Sequence, residues 1–151
     1  MEIKQLSIMN EKDLHYKVIN FIRNYLKEPL IVPGLGEYQF SSNIRNDAYL
    51  KGFTGGQPDI MLLNYHTKYK GLCIELKSPT GKGVVSEKQY TYLNALENNN
   101  YKTLISNDYD EIIVQIMKYS SGIRYLCKHC NRKFTRTHTR QKHYTYFHKM
   151  R

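Results

Sequence analysis

Three charged side chains, Asp59, Glu75 and Lys77, interrupt two otherwise apolar stretches, GGQPDIMLLN (Gly55 to Asn64) and the run that ends in IELKSP (Ile74 to Pro79). Both stretches are apolar at odd and even positions alike, the pattern of a strand covered on both faces. Paired as an antiparallel hairpin centred near Thr67, they set Asp59 opposite Glu75, with Cα atoms roughly 4.5 to 5.5 Å apart. Lys77 emerges on the same face as Glu75. Two carboxylates at that separation repel, and one ammonium offsets them only in part. A divalent cation completes the balance. Two carboxylates, a strand carbonyl such as that of Leu76, and waters make the incomplete oxygen shell that Mg²⁺ or Mn²⁺ takes when a substrate phosphate fills it. Such a cation polarises the phosphate and acidifies a bound water, which Lys77 can orient or help deprotonate. Taken singly, an Asp after Pro is a turn residue and Glu-x-Lys an exposed ion pair. Together on buried strands they point to catalysis.

A second constellation lies in YLCKHCNRKFTRTHTRQKHYTYFH, where Cys127-x2-Cys130-x12-His143-x4-His148 has the spacing of a C2H2 zinc finger. So short a segment buries too little surface to fold alone, and tetrahedral Zn²⁺ supplies most of its folding free energy as a small ββα unit. The formal charge of +10 is concentrated here: residues 1 to 122 hold 14 basic and 13 acidic residues, residues 123 to 151 nine basic and none acidic. A block this basic meets a polyanion, most commonly nucleic acid. Cys73 sits among apolar neighbours and reads as a small core residue.

The elements that must position these groups follow from periodicity and caps. In NEKDLHYKVINFIRNYLKEP, Leu14, Val18, Phe21, Ile22 and Tyr25 fall on one side of a helix that Asn10 caps and Pro29 ends. Residues 30 to 58 are rich in Gly, Asn and Ser, with a strand expected at Glu37 to Ser41 and then a long loop where a site is assembled. Ser86 and Gln89 fit a capping box opening SEKQYTYLNALENNN, with Tyr90, Leu93 and Leu96 inward. The strand YKTLIS follows, then a helix YDEIIVQIMKY capped by Asp108 with Glu111, then a break at Ser120-Ser121-Gly122. This order predicts an α/β or α+β sheet flanked by helices over residues 1–120, a linker at 121–124 and the finger at 125–151. No apolar run approaches the roughly 18 residues of a membrane span, the N-terminus lacks secretory features, and three cysteines do not describe a disulfide framework. An intracellular address without membrane partners is expected.

The series Gly56-x-Pro58-Asp59, then about fifteen residues to Glu75-Leu76-Lys77, then a helix opening Ser86-x-x-Gln89 resembles the PD-(D/E)xK nuclease superfamily, and most closely its VRR-NUC branch, the virus-type replication-repair nucleases. The likeness covers nearly all of residues 10 to 118. It implies a restriction-endonuclease-like mixed sheet and a metal-dependent phosphodiesterase acting on DNA. In it, Asp59, Glu75 and the Leu76 carbonyl hold Mg²⁺ or Mn²⁺, Lys77 handles the water and Gln89 supports the site. The Ser86 capping box would explain Gln89 equally well. The family's first-helix acid falls on Glu11 or Asp13, with His15 where Gln is usual, and its loop residues fall on Asn43 and Arg45. Lys51 and Lys82 are further candidates for DNA phosphates, while the turn around Gly81 and Gly83 lacks the full phosphate-loop pattern.

The finger resembles the DNA-reading kind, with aromatic Tyr125 and Phe134, but Arg140 stands where that family has a core Leu. Its base-facing positions fall on Arg136, Thr139 and Lys142. One finger reads about three base pairs, so Arg132, Lys133, Arg136, Arg140 and Lys142 are expected chiefly to grip phosphates and place DNA near Asp59. Small VRR-NUC proteins are often homodimers that cut branched DNA. The resemblance therefore suggests a structure-selective endonuclease of Holliday junctions or flaps in replication, recombination or repair. One alternative is a non-catalytic DNA-binding protein on a degenerate nuclease fold, which would have lost an acid or the lysine. The other is a site-specific restriction-type nuclease, which calls for more recognition structure than one finger supplies.

Overall fold

Helix α1 (Glu11–Tyr25) is fixed at its start by a reciprocal cap, in which the Asp13 amide donates to Asn10 and the Asn10 amide to the Asp13 carboxylate. Leu14, Val18 and Ile22 bury one stripe of it. Tyr25 departs from the expected inward set: it stacks on Phe21 at 5.0 Å and is 45% exposed, because the buried Leu26 already fills the core at the last turn. These coordinates are a computed structural model that describes residues 9–34, 41–81, 83–127, 129–130, 132–135, 140 and 142–143.

The chain then forms β1 (Ile31–Pro33), α2 (Ser42–Leu50), β2 (Ile60–Leu62), β3 (Leu72–Leu76), α3 (Glu87–Asn98), β4 (Lys102–Ser106) and α4 (Tyr109–Ser120). The sheet order is β1-β2-β3-β4, antiparallel in its first two pairings and parallel in the third. It is the expected mixed sheet flanked by helices. Ile60 pairs with Ile74 and Leu62 with Leu72, so the hairpin has the expected register. All five residues of β3 are buried, which is why the run carries no alternation. Ile60, Leu62, Leu72, Ile74 and Leu76 face α1 and α4, where Ile112 and Ile116 meet them. Met61 and Cys73 face Leu93 and Leu96 of α3. Burial pushes the Cys73 thiol up to about 12, so it remains a neutral core group.

Of the expected strand at Glu37 to Ser41, only Ser41 is described. Residues 35–40 lie outside the described residues, Ser41 caps α2 by accepting from the Ile44 amide, and β1 supplies the edge strand. Helix α2 buries none of its residues, so it carries no apolar stripe to announce it. Tyr90 is 58% exposed rather than inward.

The connections fix two opposite ends of the sheet. One end holds the end of β2, the start of β3 and the last turns of α1, α3 and α4; the other holds Asp59, Leu76 and the first turns of α3 and α4. Five residues of β3 at about 3.3 Å each put those ends roughly 15 Å apart. After α4 the chain does not leave the body. Ile123 is 3% exposed in the main core and forms a β-bridge with His66, and strand β5 (Tyr125–Leu126) then pairs with β6 (Lys133–Phe134).

Candidate active site

Asp59 precedes β2 by one residue, and its Oδ2 accepts the Leu76 amide N–H at 2.7 Å while its carbonyl accepts from Gly34 at 2.8 Å. This ties the carboxylate to the end of β3. Glu75 shares the face of Cys73, toward α3, and is 2% exposed. Its Oε1 accepts from Lys77 Nζ at 2.9 Å and from the Gln89 side-chain amide. Lys77 Nζ also donates to Gln89 Oε1 at 3.0 Å. Gln89 thereby links acid and amine.

The same Gln89 Oε1 accepts from the Ser86 amide at 2.9 Å, and Ser86 Oγ accepts in return from the Gln89 amide. Gln89 therefore both caps α3 and bonds Glu75 and Lys77. Capping α3 fixes its side chain, and the fixed side chain braces Glu75 and Lys77. Gly56 explains the first letter of the motif: its φ is +76°, and a Cβ there would lie 2.4 Å from the Lys88 carbonyl oxygen. Only a residue without a side chain lets this loop lie against the start of α3.

Burial, then the charge of Asp59, push the Glu75 carboxyl up to about 7 against the pull of Lys77, and the charge of Glu11 adds to the rise. Of the two candidate first-helix acids, Glu11 is therefore the one that acts on Glu75, whereas the exposed Asp13 carboxylate closes the α1 cap. Glu75 Oε2 is buried with no hydrogen-bond partner among the described residues. A buried acceptor without a donor costs about 1–3 kcal/mol. A buried carboxylate oxygen without a donor, on a group that feels the Asp59 charge, fits a hard divalent cation, although Glu11, Asp59 and Glu75 do not bring ligand atoms within 4.8 Å of one another.

No protein-family model matches the sequence, and no curated protein matches it. Among solved structures, a chain described as a VRR_NUC domain protein matches with a TM-score of 0.60 at 20% identity, over 74% of this chain and 88% of that one. The fold is that of a VRR_NUC domain protein. The VRR_NUC fold accounts for the mixed sheet, and in this chain Asp59, Glu75 and Lys77 lie at one end of its central hairpin.

Elsewhere the expected site residues divide. Asn43 and Arg45 are exposed on α2, and Lys51 is held by Asp47 at 2.7 Å on that helix. The ligand atoms of Cys127, Cys130 and His143 lie within 4.8 Å of one another, with Cys130 Sγ 3.0 Å from His143 Nε2. A backbone N–H from His129, then hydrogen bonds from Cys130 and the charge of Arg140, lower the Cys127 thiol against its desolvation. Two sulfurs and an imidazole at this spacing fit a tetrahedral Zn²⁺. His148, Lys82, Arg136 and Thr139 lie outside the described residues.

Arg140, expected to grip phosphate, is engaged through Nη2. It donates to both carboxylate oxygens of Glu28 at 2.8 and 2.9 Å and lies over the Tyr125 ring. Lys133 lies over Tyr65, while Arg132 and Lys142 are exposed. Helix α4 carries the chain back along the sheet, so β5 begins at the end opposite Asp59.

The sequence reading missed His66. Its Nδ1 accepts from the Lys68 and Tyr69 amides and its Nε2 donates to the Tyr119 carbonyl, with the two rings stacked at 4.4 Å. Nothing in YHTKYK signals that role, because the Tyr119 carbonyl and ring that His66 meets come from a helix far along the chain.

Proposed function

We propose that the chain is a nuclease that hydrolyses DNA phosphodiesters with Mg²⁺ or Mn²⁺, preferring branched DNA such as Holliday junctions or flaps, in replication, recombination or repair. The observation that carries this reading is the buried, unpartnered Glu75 Oε2 beside Lys77 and Gln89, on a VRR_NUC fold. Asp59, Glu75 and the Leu76 carbonyl would hold the cation, with Glu11 as the first-helix acid. The bound cation supplies charge neutralisation on the phosphate and an acidified water. Lys77, steered by Gln89, orients that water and stabilises the charge that grows on the phosphate. The Leu76 amide holds Asp59 in place, and α3 keeps bulk water from Glu75. Zn²⁺ at Cys127, Cys130, His143 and His148 organises the basic tail for phosphate contact, and two copies pair on a branched substrate.

The test is incubation of labelled junction, flap and plain duplex with Mg²⁺, Mn²⁺ or chelator, for the wild type beside Asp59→Ala. Wild type should cut branched DNA most efficiently and only with a divalent cation, and Asp59→Ala should bind without cutting. Equal cutting by the two proteins removes the assignment.

A further inference from the structure

We propose that the loop joining β2 to β3, together with β6 of the finger, forms a second DNA contact at the end of the sheet away from Asp59, one that takes phosphates of the backbone. The inference deepens the nuclease reading, on which it rests for the identity of the polyanion. A concavity of about 530 Å³ opens there, lined by Tyr65, Lys68, Tyr69, Lys70, Asn100 and Tyr101 among others, with no acidic residue in its wall. Lys68 and Lys70 are exposed. Both ammonium groups stand in water beside a wall without an acid, where a phosphate would pair with them.

The surface is preorganised. Asn100, in a left-handed backbone conformation (φ 67°), donates its side-chain amide to the Lys68 carbonyl at 2.9 Å, and its own carbonyl accepts from the Lys70 amide at 2.9 Å. Lys68 Nζ lies over the Tyr69 ring at 5.2 Å, a cation–π contact beside the concavity. Lys133 Nζ lies over Tyr65 at 5.0 Å, so the basic face continues from the loop onto the finger. The field is positive here: after burial, the charges of Arg124, Lys102 and Lys68 help lower the pKa of His66, against its bond to Tyr119. Basic groups interleaved with aromatic rings are the composition that tracks a nucleic-acid backbone.

The experiment is binding of full-length, zinc-loaded protein to a labelled DNA junction without Mg²⁺ or Mn²⁺, over a series of salt concentrations. Cutting is thereby removed from the readout, so failure of the nuclease reading and failure of this one are separable. Lys68→Glu/Lys70→Glu should weaken binding on the order of tenfold near 0.1 M salt and reduce the slope of log K against log salt by about 2. A charge-matched control, Lys12→Glu/Lys17→Glu, lies on the first half of α1, toward the other end of the sheet, where Lys17 meets Tyr109 at the start of α4, and should leave both quantities near wild type. An unchanged slope in the Lys68/Lys70 variant overturns the proposal. So does an equal loss in the control, because net charge alone would then explain the binding.

Discussion

Glu75 sets the electrostatics of the site, and its raised proton affinity gives the metal-free protein a distinctive pH dependence. Its carboxyl moves from 4.5 to about 7, so between those values the folded chain holds a proton that the unfolded chain has released. Stability therefore falls as pH rises through that window, by on the order of 3 kcal/mol from this residue alone. His66 acts with the opposite sign, since its lowered pKa means that stability is lost as pH falls below 6.5. Thermal melts of chelated protein from pH 8 to pH 5 should show a rise that Glu75→Gln abolishes, and added Mg²⁺ should recover stability above pH 7. A Glu75→Gln melt that keeps the wild-type rise would assign it to another group. The three charged positions were legible in the sequence because strand register is a local property of the hairpin. That the charge of Glu11 acts on Glu75 was not, because Glu11 and Asp13 lie on the first turn of one helix and only the position of Glu75 in space separates them.

At the scale of elements, the caps carried most of the information. Asn10, Ser86 and Asp108 each start a helix where their side-chain chemistry places one. Glu111 shows the limit of such reasoning, since it accepts from Ser106 Oγ at 2.6 Å. The seam between the Gly56 loop and α3 is the tightest joint near the site, and substitution there has a sharp contrast available. Gly56→Ala meets both a left-handed φ and a backbone oxygen, and should destabilise by about 2–4 kcal/mol while slowing cleavage. Gly52→Ala, at φ +96° in open space, should lose only about 1 kcal/mol. Chemical denaturation of the pair measures this, and equal losses would mean that the close approach to Lys88 is not what matters. Helix α2 was unreadable for the reason that makes it stand out in space: with no buried side chain, it has no periodicity to detect.

At the scale of the whole molecule, the cysteine–histidine hairpin and the acidic cluster occupy opposite ends of the sheet. Chelating zinc should therefore release amide protection in residues 125–143 and leave β3 and α4 protected, as hydrogen exchange would show. Loss of protection throughout would mean that the two parts fold as one. The sequence announced the metal-ligand spacing but not this docking, which rests on Glu28, Tyr65 and His66, residues with no periodicity or motif of their own.

Arg140 gives that docking a practical meaning. The position that resembles a finger's own core instead reaches across to Glu28, and Tyr125 spends its ring on Arg140 and its hydroxyl on the Lys27 carbonyl. Grafted onto a foreign carrier, residues 125–151 would bring an arginine parted from Glu28 and a Tyr125 hydroxyl parted from its Lys27 acceptor. Unlike cassettes that can be strung in tandem to build new DNA readers, this one is not portable.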